Sequence, residues 1–142
     1  MDRLTGKVAI VFGAGPNIGG TIAHFLARES ASVVVCDLDE AAANETVAFL
    51  EAKGLTASAL QGDAAHEGDV ARAVAETTDR YGVPDIIVNM AGTIHWSSVV
   101  DMELEGWLSC LTSFPTAAML TTKHAARAMI AANKGGSIIH LL

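Results

Sequence analysis

Cysteine is scarce in this chain of 142 residues: there are two, Cys36 and Cys110. They stand far apart, with no C-x-x-C pair around either. No set of His, Cys, Asp and Glu falls at metal-ligand spacing, so neither a disulfide framework nor a structural metal is expected to organise the fold. Both thiols are expected to be reduced and buried, one in an apolar strand and the other in a helical segment. Basic residues are also few, 9 Lys and Arg against 16 Asp and Glu, for a formal charge of −7. Without a basic cluster, a general nucleic-acid surface or an anionic membrane surface is disfavoured. No apolar run approaches the roughly 20 residues needed to cross a bilayer, and the opening Met-Asp-Arg-Leu-Thr-Gly-Lys lacks the apolar core of a signal peptide. A cytoplasmic location follows as the expectation. The absence of a G-x-S-x-G elbow argues against a Ser-His-Asp hydrolase. Linkers, repeats and low-complexity stretches are absent as well, so residues 1–142 are expected to form one domain, large enough to bury roughly 70% of the surface of its unfolded chain.

What is present is apolar: 51% hydrophobic residues against 18% charged, a balance that suits a parallel sheet covered on both faces and, beyond that, contacts between copies in a homo-oligomer. Apolar, β-rich segments recur at 8–12, 32–37, 56–61, 85–89 and 137–142. Helical segments lie between them at 18–29, 40–52, 67–81 and 103–132, with breaks at Gly54, at Gly82-Val83-Pro84 and at Gly135-Gly136. This alternation predicts an α/β fold of three layers, αβα, around a parallel sheet of strand order 3-2-1-4-5. A ligand in such a sheet lies beyond the carboxyl ends of the strands, where the order reverses between the first strand and the fourth.

The first strand runs straight into Gly13-Ala14-Gly15-Pro16-Asn17-Ile18-Gly19, and Asp37, followed by Leu38, closes the second. Glycines at a strand-to-helix turn leave backbone N–H groups and the positive end of a helix dipole facing outward, which suits a pyrophosphate. Gly13 and Gly15 permit the tight turn, Gly19 permits close packing of helix on strand, and Asp37 falls where a carboxylate accepts from an adenosine ribose. The spacing is G-x-G-x-x-x-G, because Ile18 stands where G-x-G-x-x-G needs glycine. A plain turn with a surface acid is the competing reading; the order strand, loop, helix, strand, acid favours the dinucleotide.

With these motifs the chain resembles the short-chain dehydrogenase/reductase family over essentially its whole length. Leu4-Thr5-Gly6-Lys7-Val8-Ala9 is similar to that family's entry to its first strand, and the glycine loop resembles T-G-x-x-x-G-I-G, with Phe12 for the Thr and Asn17 for the middle Gly. Asn accepts positive φ more readily than other non-glycine residues, so Asn17 is expected to preserve the loop. Asp63 and Ala64 sit where the family places an acid that contacts adenine; a cap on the helix beginning near His66 is an equal reading of Asp63. Asn89-Met90-Ala91-Gly92 resembles N-N-A-G, with Met90 for the second Asn. The resemblance implies a Rossmann-type fold and NAD-dependent hydride transfer on an alcohol or carbonyl substrate. Its cofactor residues carry over to Gly13, Gly15, Asn17, Ile18, Gly19, Asp37, Leu38, Asp63, Ala64, Asn89, Ala91 and Gly92.

The family's catalytic Asn, Ser, Tyr and Lys do not carry over. Phe114, followed by Pro115, occupies the Asn position, and a disturbance of the helix is expected there. The Ser is expected immediately after Leu142, with Tyr and Lys further on. Tyr81, the sole Tyr, is expected at the far end of the sheet from the crevice. His24 and His124 read as surface or packing residues, and His66 as a residue at a helix start. His95 and Trp96 are candidates for the substrate side of the crevice. The last strand is expected to leave an apolar edge.

Overall fold

A computed structural model describes residues 2–141. The Val- and Ile-rich runs form strands β1 (Val8–Phe12), β2 (Ser32–Asp37), β3 (Ala57–Gln61), β4 (Ile86–Asn89) and β5 (Ser137–His140). They alternate with helices α1 (Ile18–Arg28), α2 (Glu40–Glu51), α3 (Glu67–Tyr81) and α4 (Leu104–Ala131). All pairings are parallel and the order is β3-β2-β1-β4-β5, as the alternation predicts.

The strand pleat divides the core. Ala9 and Val11 of β1 point to one face with Val33, Val35 and Val88, against Ala23, Ala27, Val47 and Leu50 of α1 and α2. Ile10 and Phe12 point to the other with Val34, Cys36 and Ile87, against Val70 and Ala73 of α3 and Ala117, Leu120 and Met129 of α4. Because both faces are covered, β1 is buried along its whole length and its sequence shows no polar alternation. Each Val, Ile or Phe buried this way contributes about 1.5–3 kcal/mol, so these two clusters hold the layers together.

The strand expected over 137–142 ends at His140, and residue 142 lies outside the described residues. This strand is indeed an edge, with Ile139 48% exposed. Pro115 does not interrupt α4, which runs 28 residues through it. The ring nitrogen simply withholds one hydrogen bond from the turn before. Cys36 is buried, and burial pushes its thiol up to about 12, but Cys110 is only half-buried, since its sulfur faces a loop and accepts from His95 N–H at 3.3 Å.

At the amino ends of the strands Asp85 ties three elements together. Its Oδ2 accepts from Val8 N–H at 3.0 Å, and its Oδ1 faces Lys134 Nζ at 3.0 Å and Lys7 Nζ at 3.4 Å. Its own carbonyl accepts from Ser137 N–H at 2.8 Å. Burial pushes the carboxyl pKa up, but the Val8 amide and the two ammonium groups outweigh it and hold the group below the ordinary carboxylate range. A folded pKa below the unfolded one contributes stability that is present above about pH 4 and is lost as pH falls through the folded value. Asp85→Asn is therefore expected to cost about 2 kcal/mol at neutral pH, with the deficit shrinking in acid. Urea unfolding at neutral pH and in acid checks this; an equal deficit in both would contradict it.

Candidate functional site

The glycine turn crosses the carboxyl ends of β1 and β2. Gly13 and Ala14 N–H both donate to the Cys36 carbonyl, at 2.9 and 3.2 Å, which bends the chain sharply. Gly13 has φ +73°, and a Cβ there would lie 3.0 Å from Ala91 N, so both its conformation and the approach of the β4 turn require glycine. A Cβ at Gly19 would strike the Gly13 carbonyl oxygen and come 2.9 Å from Ala14 Cα, which is the close helix packing expected. Asn17 keeps the loop for a different reason than expected. Its φ is −138°, not positive; it is the N-cap of α1, and its side chain accepts from Gly19 N–H at 2.8 Å. Ile18 opens α1, and among the described residues no acceptor takes its N–H, which leaves a donor at the positive end of the helix dipole.

The Asp37 carboxylate is held by the same loop. Oδ2 accepts from Gly15 N–H at 2.8 Å and Oδ1 from Asp39 N–H at 3.0 Å. Beyond β3, Asp63 does not cap α3: the N-cap is His66, with no side-chain cap bond. Asp63 Oδ1 closes a turn instead, accepting from Ala65 N–H at 2.8 Å. Asp69 of α3 reaches back to accept from Asp63 N–H at 3.1 Å and pairs with Arg72, whose guanidinium donates to the Gln61 carbonyl at 2.8 Å. The Asp63 amide bond holds the Asp69 carboxyl below its ordinary range, burial opposes, and Arg72 and His66 reinforce it.

The β4 turn completes the crevice. Asn89 is fully buried, and its Oδ1 accepts from Ala91 N–H at 3.2 Å. Phe114, half-buried on α4, lays its ring on Gly92, so that any Cβ at Gly92 would meet the ring itself. Beside it, Ser113 Oγ accepts from Thr93 N–H at 2.9 Å. Gly92→Ala is expected to lose about 1–3 kcal/mol through overpacking. Adding Phe114→Ala to Gly92→Ala should cost less than the two single losses summed, because the colliding ring is gone. Thermal unfolding of the cycle tests this; strict additivity would mean that the two residues do not touch.

One crevice is lined by Gly13, Asn17, Asp37, Leu38, Asp63, Ala64, Ala91 and Gly92 together. Of the expected residues, Gly15, Ile18, Gly19 and Asn89 do not line it; Gly15 N–H holds the Asp37 carboxylate, Gly19 packs on the Gly13 carbonyl, and Asn89 holds the Ala91 amide. Gly62, Ala65, Met90, Thr93, Ser113 and Ala117 also line it and were not singled out from sequence. Ser113 and Ala117 are four apart on α4, one helical face, but only the packing of that helix shows which face meets the crevice. His95 and Trp96 do not line it. They border a separate depression with Asp101, and Trp96 is 90% exposed. Tyr81 closes α3 against the core, remote from the crevice, as expected. His24 lies edge-on to Phe49 on the outside of α1, and His124 pairs with Glu67. Among the described residues no His, Cys, Asp and Glu group could hold a metal ion, and no helix is long and apolar enough to cross a membrane.

Comparison with known proteins agrees with this geometry. The short chain dehydrogenase family profile matches residues 7–141. An uncharacterized oxidoreductase of Thermotoga maritima is 33% identical over 96% of this chain and 52% of its own length. The sorbitol dehydrogenase of Cereibacter sphaeroides is 33% identical over 98% of this chain and 53% of its own length. A crystal structure of a short chain dehydrogenase from Mycobacterium smegmatis superposes with TM-score 0.91 at 32% identity, over 99% of this chain and 58% of that one. The chain thus spans about half the length of the relatives it matches. By its matched profile, its strand order and these relatives, it belongs to the short-chain dehydrogenase family.

Proposed function

We propose that the crevice binds NAD and that the whole protein transfers hydride between NAD(H) and the alcohol or carbonyl group of a small molecule. The observation that carries this is the convergence of an anionic Asp37, fixed by Gly15 N–H, with a glycine turn whose tightness a Cβ at Gly13 or Gly19 would destroy. In this reading the α1 amino end and Ile18 N–H face the pyrophosphate, Asp37 and Leu38 meet the adenosine ribose, Asp63 and Ala64 border the adenine, and Ala91 and Gly92 border the nicotinamide ribose. Nicotinamide, when bound, accepts or donates the hydride. Thr93 and Ser113 fix the wall beside it. A cytoplasmic location and association between copies belong to the same proposal, the latter resting on the exposed Trp107, Leu108 and Leu111 of α4.

Proton chemistry is assigned to no residue of 1–142. Phe114 carries no proton, and its contact with Gly92 gives it a packing role, so in the whole enzyme Phe114→Asn is expected to leave hydride transfer within about tenfold, whereas removal of a positioned acid-base group costs about 100 to 10,000-fold. An inactive dinucleotide-binding subunit is the second reading, favoured by Phe114 in the place of a relay Asn. The test is to follow NADH binding by fluorescence and NADH oxidation with a panel of aldehydes and ketones. Residues 1–142 are expected to bind without turnover, and the whole protein to turn over. Failure of both forms to bind NADH would remove the proposal; binding without turnover by the whole protein would select the inactive subunit.

A further inference from the structure

Among the described residues, two side-chain nitrogens at the carboxyl end of the sheet are buried without a partner, Asn89 Nδ2 and His140 Nδ1. They belong to residues in register: Asn89 of β4 lies opposite His140 of β5 in the parallel ladder. Paired residues of a pleated sheet project from the same face. Here that face is the one under α4, because Ile87 and Ile138, each two residues earlier, both pack into the cluster formed with α3 and α4. His140 Nε2 lies 2.9 Å from Thr122 Oγ1 of α4.

Buried donors and acceptors left unpaired are uncommon, and these two are complementary. The Asn89 Oδ1 is engaged by Ala91 N–H, which sets the amide orientation and leaves Nδ2 as the donor. A neutral imidazole that gives its Nε2–H to Thr122 Oγ1 presents Nδ1 as a bare acceptor. The other tautomer would set two donors against each other.

We propose that His140 Nδ1 accepts from the Asn89 side-chain amide, through one buried water or a small side-chain rotation, and that His140 is thereby a positioning residue for the turn 89–92. The line of bonds runs from Thr122 through His140 and Asn89 to Ala91 N–H. It ends where the β4 turn faces Gly13, with Ala91 N only 3.0 Å from where a Gly13 Cβ would stand. Its consequence for ligand binding rests on the dinucleotide reading above; the contact itself does not.

The test joins a spectroscopic and a binding readout. Nitrogen NMR of the histidine rings, at a pH where imidazole is neutral, is expected to show His140 protonated at Nε2, with an Nδ1 resonance that moves when Asn89→Ala removes its donor. NADH fluorescence titration is expected to show about tenfold weaker binding for His140→Leu, and binding within about threefold of the unmodified protein for His140→Asn, which keeps an acceptor near the Nδ1 position. An Nδ1-protonated ring, an Nδ1 resonance indifferent to Asn89→Ala, or unchanged NADH affinity in His140→Leu would overturn the proposal. If NADH binds no form, the dinucleotide reading falls, and the ring resonances still decide whether His140 holds Asn89.

Discussion

Asp37→Ala is expected to erase a preference for NAD over NADP and to weaken NAD binding at the same time. The carboxylate has about four lone-pair sites, of which Gly15 and Asp39 N–H take two, at 2.8 and 3.0 Å. In the proposed reading the remaining sites accept from ribose hydroxyls. A 2′-phosphate would bring a second negative charge against this fixed one, and its neighbours Leu38 and Pro16 offer no cation. Two unit charges about 4 Å apart repel by roughly 4 kcal/mol at an effective dielectric near 20, before water and rearrangement reduce it. Since about 1.4 kcal/mol is a factor of ten, the unmodified protein is expected to favour NAD by at least about tenfold. The alanine variant should bring the two cofactors close to equal and bind NAD about tenfold more weakly, having lost both ribose acceptor and loop tether. Calorimetric titration of both cofactors at one ionic strength decides it; tighter NADP binding by the unmodified protein would refute the assignment of Asp37.

The second large effect is expected at Gly19. A methyl group there collides with backbone, the Gly13 carbonyl oxygen and Ala14 Cα, and backbone has no alternative rotamer. Gly19→Ala should cost about 3 kcal/mol, the upper end of overpacking penalties, and remove detectable NADH binding because the turn opens. Gly54→Ala is the control. Gly54 has φ +72° with nothing among the described residues within 4 Å of a Cβ, so backbone strain alone should cost about 1 kcal/mol and leave binding intact. Denaturant unfolding and NADH titration of both variants separate the two; equal effects would mean that the loop tolerates a side chain at Gly19.

The strands and their order were readable because both faces of the sheet are covered, so Val8 to Phe12 and Val33 to Cys36 form uninterrupted apolar runs, the first between Gly6 and Gly13 and the second between Ser32 and Asp37. Gly13 and Gly19 were readable for a related reason: local geometry demands glycine at each. Asn17 was placed correctly on the wrong ground, since capping and positive φ favour the same residue and sequence does not tell them apart. Of the two readings of Asp63 the structure excludes only the cap, putting a turn before α3 in its place, because the helix begins one residue after His66 and Asp69 supplies the return bond. What remained hidden depends on contacts between distant segments. Nothing local to Phe114 announces that its ring fills the space left by Gly92, and nothing local to Ser113 announces the Thr93 amide. His140 passes as an ordinary strand residue until the ladder sets it beside Asn89.

One dinucleotide is expected to occupy the crevice formed by the carboxyl ends of β1 to β4. Backbone amide NMR with increasing NADH tests it most directly. Saturable shifts are expected to concentrate at residues 13–19, 37–38, 62–65 and 89–93, with the outer groove between α1 and α2 near Thr46 and Phe49 unmoved. Saturable shifts centred on that groove, or on the depression beside Trp96, with the glycine turn silent, would contradict it.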